Sequence, residues 1–211
     1  MRADLAVSDY LGLVDYRRRV AEMYGRVRTG SGDPAARWME FRRAQDELFR
    51  SHPQSALSED RKAHFEGLRC YPYDPQFRFV LPLSPVDNPE VMQIRLRDDG
   101  LLQMCRMGRV QFAIDGQPLA LTLFWILGYG GGVFLPFRDA SNTDETYEGG
   151  RYLLDTIKGV DLGQDAGDIV IDFNYAYNPS CAYSLRWDCP TPPQENWLPV
   201  SIRAGEQRYS G

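Results

Sequence analysis

The spacing of hydrophobic positions changes once along this chain, near residue 70, and that change divides it. Before it, Leu13, Tyr16, Val20, Met23 or Tyr24, and Val27 fall on one helical face with arginines and acids between them. Gly30, Ser31 and Gly32 break the pattern. Asp33-Pro34 then supplies an N-cap and a proline at the first helical position, and Trp38, Phe41, Leu48 and Phe49 carry a second helix to His52-Pro53. Ser58-Glu59-Asp60 starts a short third helix, anchored by Phe65 and ended by Gly67.

From Cys70 to Pro75 two prolines with intervening tyrosines force an extended crossing, and the period afterwards drops to two. Residues 77–83 read as a strand, and 91–97 and 101–107 as a hairpin across Asp98, Asp99 and Gly100. A second hairpin pairs Val110, Phe112 and Ile114 with Leu119, Leu121 and Leu123 around Asp115-Gly116, a dipeptide suited to the positive φ of a two-residue turn. Residues 124–127 are apolar on both faces, so the spacing predicts a strand covered on both sides. Glycines at 128, 130, 131 and 132 turn the chain into a strand over 133–137, followed by a polar loop over 138–147 and an extended segment from Gly149. A turn over 163–167 precedes a strand over 168–173, and 198–202 is expected as a late strand. The result is an α+β chain: an N-terminal helical section over 1–69, then a mainly antiparallel β-barrel or β-sandwich over 70–211, together one compact domain.

Composition narrows the partners. With 211 residues, 43% hydrophobic, the chain can bury a sizeable core. Its net charge of -5 argues against a phosphate backbone as partner, so no nucleic acid is expected. No apolar run reaches secretory or membrane-spanning length, so we expect a cytoplasmic protein without a membrane partner. Oligomeric state is not legible. In a reducing compartment Cys70, Cys105, Cys181 and Cys189 are expected as free thiols, and their spacings match no zinc motif.

Chemistry concentrates in residues 149–206. Alternation along 169–174 places Val170, Asp172 and Asn174 on one face, where a carboxylate beside an amide serves either acid–base chemistry or a buried network tying the next loop to the sheet. Arg151, after Gly149-Gly150, presents a forked donor to a ligand carboxylate or to Asp139, Asp172 or Glu195. Glu195 follows a stiff Pro-Pro-Gln segment and is either directed at a ligand or solvated. Tyr175, Tyr177, Tyr183 and Trp187 line an apolar cavity or fill the core. Cys181 as a nucleophile wants a base, yet both histidines, His52 and His64, lie in the helical section. The four glycines lack the lysine and hydroxyl continuation of a phosphate loop.

Several tracts resemble a bacterial and archaeal family of proteins, the domain of unknown function 1684. They are Tyr71-Pro-Tyr-Asp-Pro75, residues 134–139, Thr146-Tyr147, residues 149–153, Asp172-Phe-Asn174, Tyr177-Asn178-Pro179, Cys181-Ala-Tyr183, Cys189-Pro190, residues 193–200 and residues 202–206. The resemblance carries no established reaction. Ser180 stands where the family usually has a second proline and Trp197 where it usually has an arginine; if that arginine faces a ligand, this chain holds a different one. The site expected from the residues is a β-barrel pocket for a small organic molecule. Asp172, Asn174 and Tyr177 would be its catalytic groups and Arg151, Glu195 and Tyr183 its substrate-binding ones, without metal or cofactor, performing hydrolysis, isomerisation or cyclisation. The alternative is a non-enzymatic binding or interaction module whose polar tract braces the fold.

Overall fold

The computed structural model describes residues 6–87, 89–97 and 100–210. Three helices lead: α1 (Val7–Thr29), α2 (Pro34–Ser51) and α3 (Glu59–Ala63). The expected start of α2 is present in full, since Asp33 caps it through the backbone N–H groups of Ala35 and Ala36. Helix α3 stops at His64, so Gly67 lies outside it and the expected glycine cap is not used. Gly67 instead sits against the Asp46 carboxylate.

The strands follow as β1 (Arg78–Leu81), β2 (Ser84–Pro85), β3 (Val91–Arg95), β4 (Leu101–Ile114), β5 (Gln117–Ile126), β6 (Gly132–Phe137), β7 (Arg151–Asp155), β8 (Gln164–Asp165) and β9 (Asp168–Asp172). Their pairings are antiparallel and make two sheets. One runs β1-β9-β8; the other runs β2-β4-β5-β6-β7 with β3 also on β4. Both expected hairpins form, β3 with β4 and β4 with β5. Asp98 and Asp99, expected in the first turn, lie outside the described residues. In the second, Asp115 and Gly116 take φ of 50° and 76°, as the two-residue turn requires.

Three expectations change. Segments 101–107 and 110–114 belong to a single strand, β4, bent at a register shift between Arg106 and Gly108. Phe124 is fully buried but its neighbour Trp125 is 39% exposed, so β5 is not covered on both sides there. Residues 198–202 form no strand; Leu198 and Ala140 instead exchange single backbone bonds with Arg138 and Val200.

Phenylalanines join the layers. Phe79 of β1 meets Phe112 of β4 at 5.1 Å, and Phe173, directly after β9, meets Phe112 and Phe137 at 5.6 and 5.2 Å. Truncating the fully buried Phe173 to alanine would cost roughly 3–5 kcal/mol. The helices join the same core, since Tyr24 of α1 packs edge-on against Phe41 of α2, which packs in turn on Tyr175.

Candidate functional site

Strand β9 ends at Asp172, and the next three residues, Phe173–Tyr175, wind into a 3-10 turn. Asn174 is therefore not on the strand face that alternation predicts; Asp172 caps the turn that carries it. One oxygen of Asp172 accepts from the Asn174 backbone N–H at 3.0 Å and from its side-chain amide at 2.8 Å. The same amide pairs with the backbone of Asp74 in both directions, donating to its carbonyl at 2.8 Å and accepting from its N–H at 2.9 Å. Trp38 of α2 donates its indole N–H to the Asn174 carbonyl at 2.9 Å. Two sheet-end residues thus tie a helix and the 70–77 crossing to β9. Burial pushes the Asp172 carboxyl up to about 6, against the pull of its bonds to Asn174 and the nearby Arg78.

Arg151 opens β7 and is fully buried. Gly150 makes this possible with φ of 88°, and a Cβ there would lie 2.6 Å from the Phe137 carbonyl oxygen. The guanidinium donates to Asp139 at 2.9 Å and to the carbonyls of Ile202, Ala204 and Glu206 at 2.8, 2.5 and 3.1 Å. It lies over the Phe137 ring. Of the partners the sequence suggests, Asp139 is the one it takes. Asp139 also accepts from Ser141 and from the Ile202 N–H.

Tyr183 belongs to a neighbouring knot around Glu206, which is 1% exposed. Its hydroxyl donates to Glu206 at 2.6 Å, beside the Asn178 N–H at 2.7 Å. The other carboxylate oxygen accepts from Gln45 at 2.8 Å and from Arg42 at 3.4 Å. Gly205 brings this segment in with φ of 76°, so close that a Cβ would sit 2.5 Å from the Ala176 carbonyl oxygen. Burial and the Glu206 charge hold the Tyr183 hydroxyl well above its usual range.

Glu195 stands elsewhere, on the outside of the larger sheet. It is bridged to Arg106 at 2.8 Å and accepts from the Thr122 hydroxyl at 2.9 Å. Tyr177 exchanges backbone bonds with Tyr152, and its buried hydroxyl has no hydrogen-bond partner among the described residues. Burial, reinforced by Asp155, raises that hydroxyl far above its usual range.

Asp172 and Asn174 thus come together at the end of β9, while Arg151, Tyr183, Tyr177 and Glu195 stand in other settings rather than on one pocket wall with them. Tyr183 and Arg151 meet only through the 202–206 segment, whose backbone holds one and whose Glu206 holds the other. Sequence reading passes over Glu206, Arg42, Gln45, Asn196 and Arg106. The available signal is Arg42 and Gln45, polar residues three apart that share the buried side of α2 with Phe41 and Leu48.

Two concavities stand out among the described residues. One of about 70 Å³ lies between α1 and α2, lined by Met23, Val27, Phe41 and Ala44. The other, about 340 Å³ and open to solvent, is formed by residues 138–140 against residues 197–199. Here the Arg138 guanidinium stacks on the Trp197 ring at 4.5 Å. A backbone ladder fixes the pair, with Arg138 N–H bonded to Asn196 at 2.9 Å and Leu198 N–H bonded to Arg138 at 2.8 Å. Trp197 donates its own N–H to the Pro192 carbonyl. Among the described residues no hydrogen bond or ion pair engages the Arg138 guanidinium. Neither concavity is lined by any of the six residues above.

No cluster of three or more histidine, cysteine or acidic side chains among the described residues is arranged to hold a metal ion, and no described helix is long and apolar enough to cross a membrane. No curated protein matches the chain. An uncharacterised protein of Haloarcula marismortui, solved by solution NMR, is similar: 30% identical, TM-score 0.57, over 82% of this chain and 92% of that one. The family model described as "Protein of unknown function (DUF1684)" matches residues 63–207. The motifs and the family model thus lead to one assignment: the chain belongs to the DUF1684 family.

Proposed function

We propose that the protein is a non-enzymatic binding module that takes a small planar carboxylate in the open concavity between Arg138 and Trp197. In this reading the Asp172 tract, Arg151 and Tyr183 brace the fold. The observation that carries it is the Arg138 guanidinium, centred 4.5 Å over the Trp197 ring with its donors engaged by no hydrogen bond or ion pair among the described residues. A guanidinium held on an aromatic ring rather than by hydrogen bonds keeps its N–H donors available, and their fork matches a carboxylate with two parallel hydrogen bonds. The space, about 340 Å³, falls at the lower end of the roughly 300–1,000 Å³ that ligand sites occupy. Trp197 adds an exposed aromatic surface for a flat ligand body.

Acid–base chemistry at Asp172 has less behind it, because burial alone accounts for its raised pKa and Asn174 already occupies one of its two oxygens. We further read the two sheets as a sandwich rather than a barrel, since Phe79, Phe112 and Phe173 meet between them. A cytoplasmic setting suits the four free thiols.

Titration with benzoate, followed by tryptophan fluorescence, tests the proposal. Saturable quenching should appear in the wild type and disappear in both Trp197→Phe and Arg138→Gln. Cyclohexanecarboxylate, which keeps the charge but not the flat ring, should bind more weakly. Quenching that persists in Arg138→Gln, or its absence from the wild type at millimolar benzoate, overturns it.

A further inference from the structure

A different pair of side chains lies outside this site and is used by none of the bracing networks. Cys181, in the 3-10 turn Ser180–Ala182, and Cys189, just before Pro190, are both half-buried free thiols. The backbone N–H of Cys181 donates to the Cys189 sulfur at 3.4 Å, which seats that sulfur against Cys181. The Tyr147 hydroxyl approaches the Cys181 sulfur at 3.7 Å from the opposite loop. Leu185 and Arg186 between the cysteines are exposed, the Leu185 carbonyl accepting from Arg97 at 2.7 Å and Arg186 donating to the Ser55 carbonyl at 2.6 Å.

We propose that Cys181 and Cys189 form a peroxide-reactive dithiol, in which a hydroperoxide oxidises Cys181 to a sulfenic acid that Cys189 captures as an intrachain disulfide. The Tyr147 hydroxyl lies against the Cys181 sulfur and the Cys189 sulfur lies against the Cys181 backbone, so a donor that stabilises a thiolate and a resolving thiol both stand beside Cys181. Consistently, the Cys189 side chain brings the Cys181 thiol down to about 7, while Cys189 is held up as the protonated member. The other cysteines lack this arrangement. Burial raises the Cys70 thiol, and Cys105 pairs across the sheet with Val91 and Trp125.

The chemistry balances with the hydroperoxide as sole oxidant. The Cys181 thiolate attacks the outer peroxide oxygen, the O–O bond breaks, and the alkoxide leaves, taking a proton to become the alcohol. Cys189 then gives up its proton and attacks the Cys181 sulfur; the S–O bond breaks and hydroxide departs as water. Two thiols supply two electrons, and one alcohol and one water result. A dithiol reductant reverses the change.

The test begins with the reduced, desalted wild type and hydrogen peroxide. Intact mass should fall by two hydrogen atoms, and peptide mapping should show the 181–189 crosslink with Cys70 and Cys105 still alkylatable. In the same samples Cys181 should be consumed at least about tenfold faster than Cys105. Cys189→Ser should accumulate a sulfenic acid at Cys181, trapped by dimedone, and Tyr147→Phe should slow its formation. A crosslink through Cys70 or Cys105, or Cys181 consumption no faster than that of Cys105, would overturn the proposal. Both are read on the unaltered protein, so no variant has to fold for the test to decide.

Discussion

Arg138 and Arg151 stand at the two ends of the loop joining β6 to β7, and the fold treats them in opposite ways. Arg151 is sealed, with four of its donors on Asp139 and the carbonyls of Ile202, Ala204 and Glu206. Arg138 lies half-exposed on an indole face and hydrogen-bonds nothing through its side chain among the described residues. The difference follows from backbone geometry: the Gly150 turn points the second arginine inward, whereas the first is held by a parallel bridge at the surface. A guanidinium inside needs most of its donors matched because its desolvation is costly, and among the described residues Arg151 leaves only Nε without a partner; one outside is left available for something else.

Breaking the sealed end should have the largest effect. Arg151→Met leaves the Asp139 charge buried without its counter-ion and three carbonyls without donors, and we expect a loss of about 3–5 kcal/mol in urea denaturation. A loss under about 1 kcal/mol would show that water repairs the knot, and the contrast with Arg138 would weaken.

Asp172 sharpens the comparison by a second, intermediate effect. Folding raises its pKa from 3.8 to about 6, so the folded state binds the proton more tightly than the unfolded chain. Its contribution is fully favourable below pH 4 and is lost as pH rises through 6, a change on the order of 2–3 kcal/mol. Asp172→Asn keeps the acceptor for Asn174 and removes the titration. Comparing denaturation of the two proteins from pH 4 to 7 should show this slope in the wild type alone; parallel curves would remove the buried-carboxylate account. The smallest expected effect is at the open end, where Arg138→Gln should shift stability by less than about 0.5 kcal/mol. A large loss there would make Arg138 a brace like its counterpart.

Much of the fold was legible because it is local. Asp33-Pro34 announces α2, and Asp115-Gly116 announces the hairpin of β4 and β5, each through conformational preferences of one or two residues. What the chain hides is non-local. Nothing near Gln45 reveals that its partner is Glu206, and nothing near Thr122 reveals that Asn196 satisfies its backbone at 2.8 Å. The dense tract around Asp172 resembles a site in sequence because buried braces and ligand sites both need convergent polar groups. The open position after β6 was passed over because Arg138 reads as an ordinary loop residue until Trp197 is brought beneath it.

The clasp formed by residues 202–206 also bears on biosynthesis. That segment follows every described strand, so a nascent chain can have all of them clear of the ribosome while Arg151 still lacks its three carbonyls and Gln45 its carboxylate. Hydrogen bonds between α2 and Glu206 close the longest loops in the fold and form only when this late segment docks. Until then the guanidinium has Asp139 but not its three carbonyls, and burying it so incompletely matched is costly. The fold is therefore locked from its C-terminal end, and anything that tugs on residues 202–206 during synthesis should delay completion more than the same tension applied near α1.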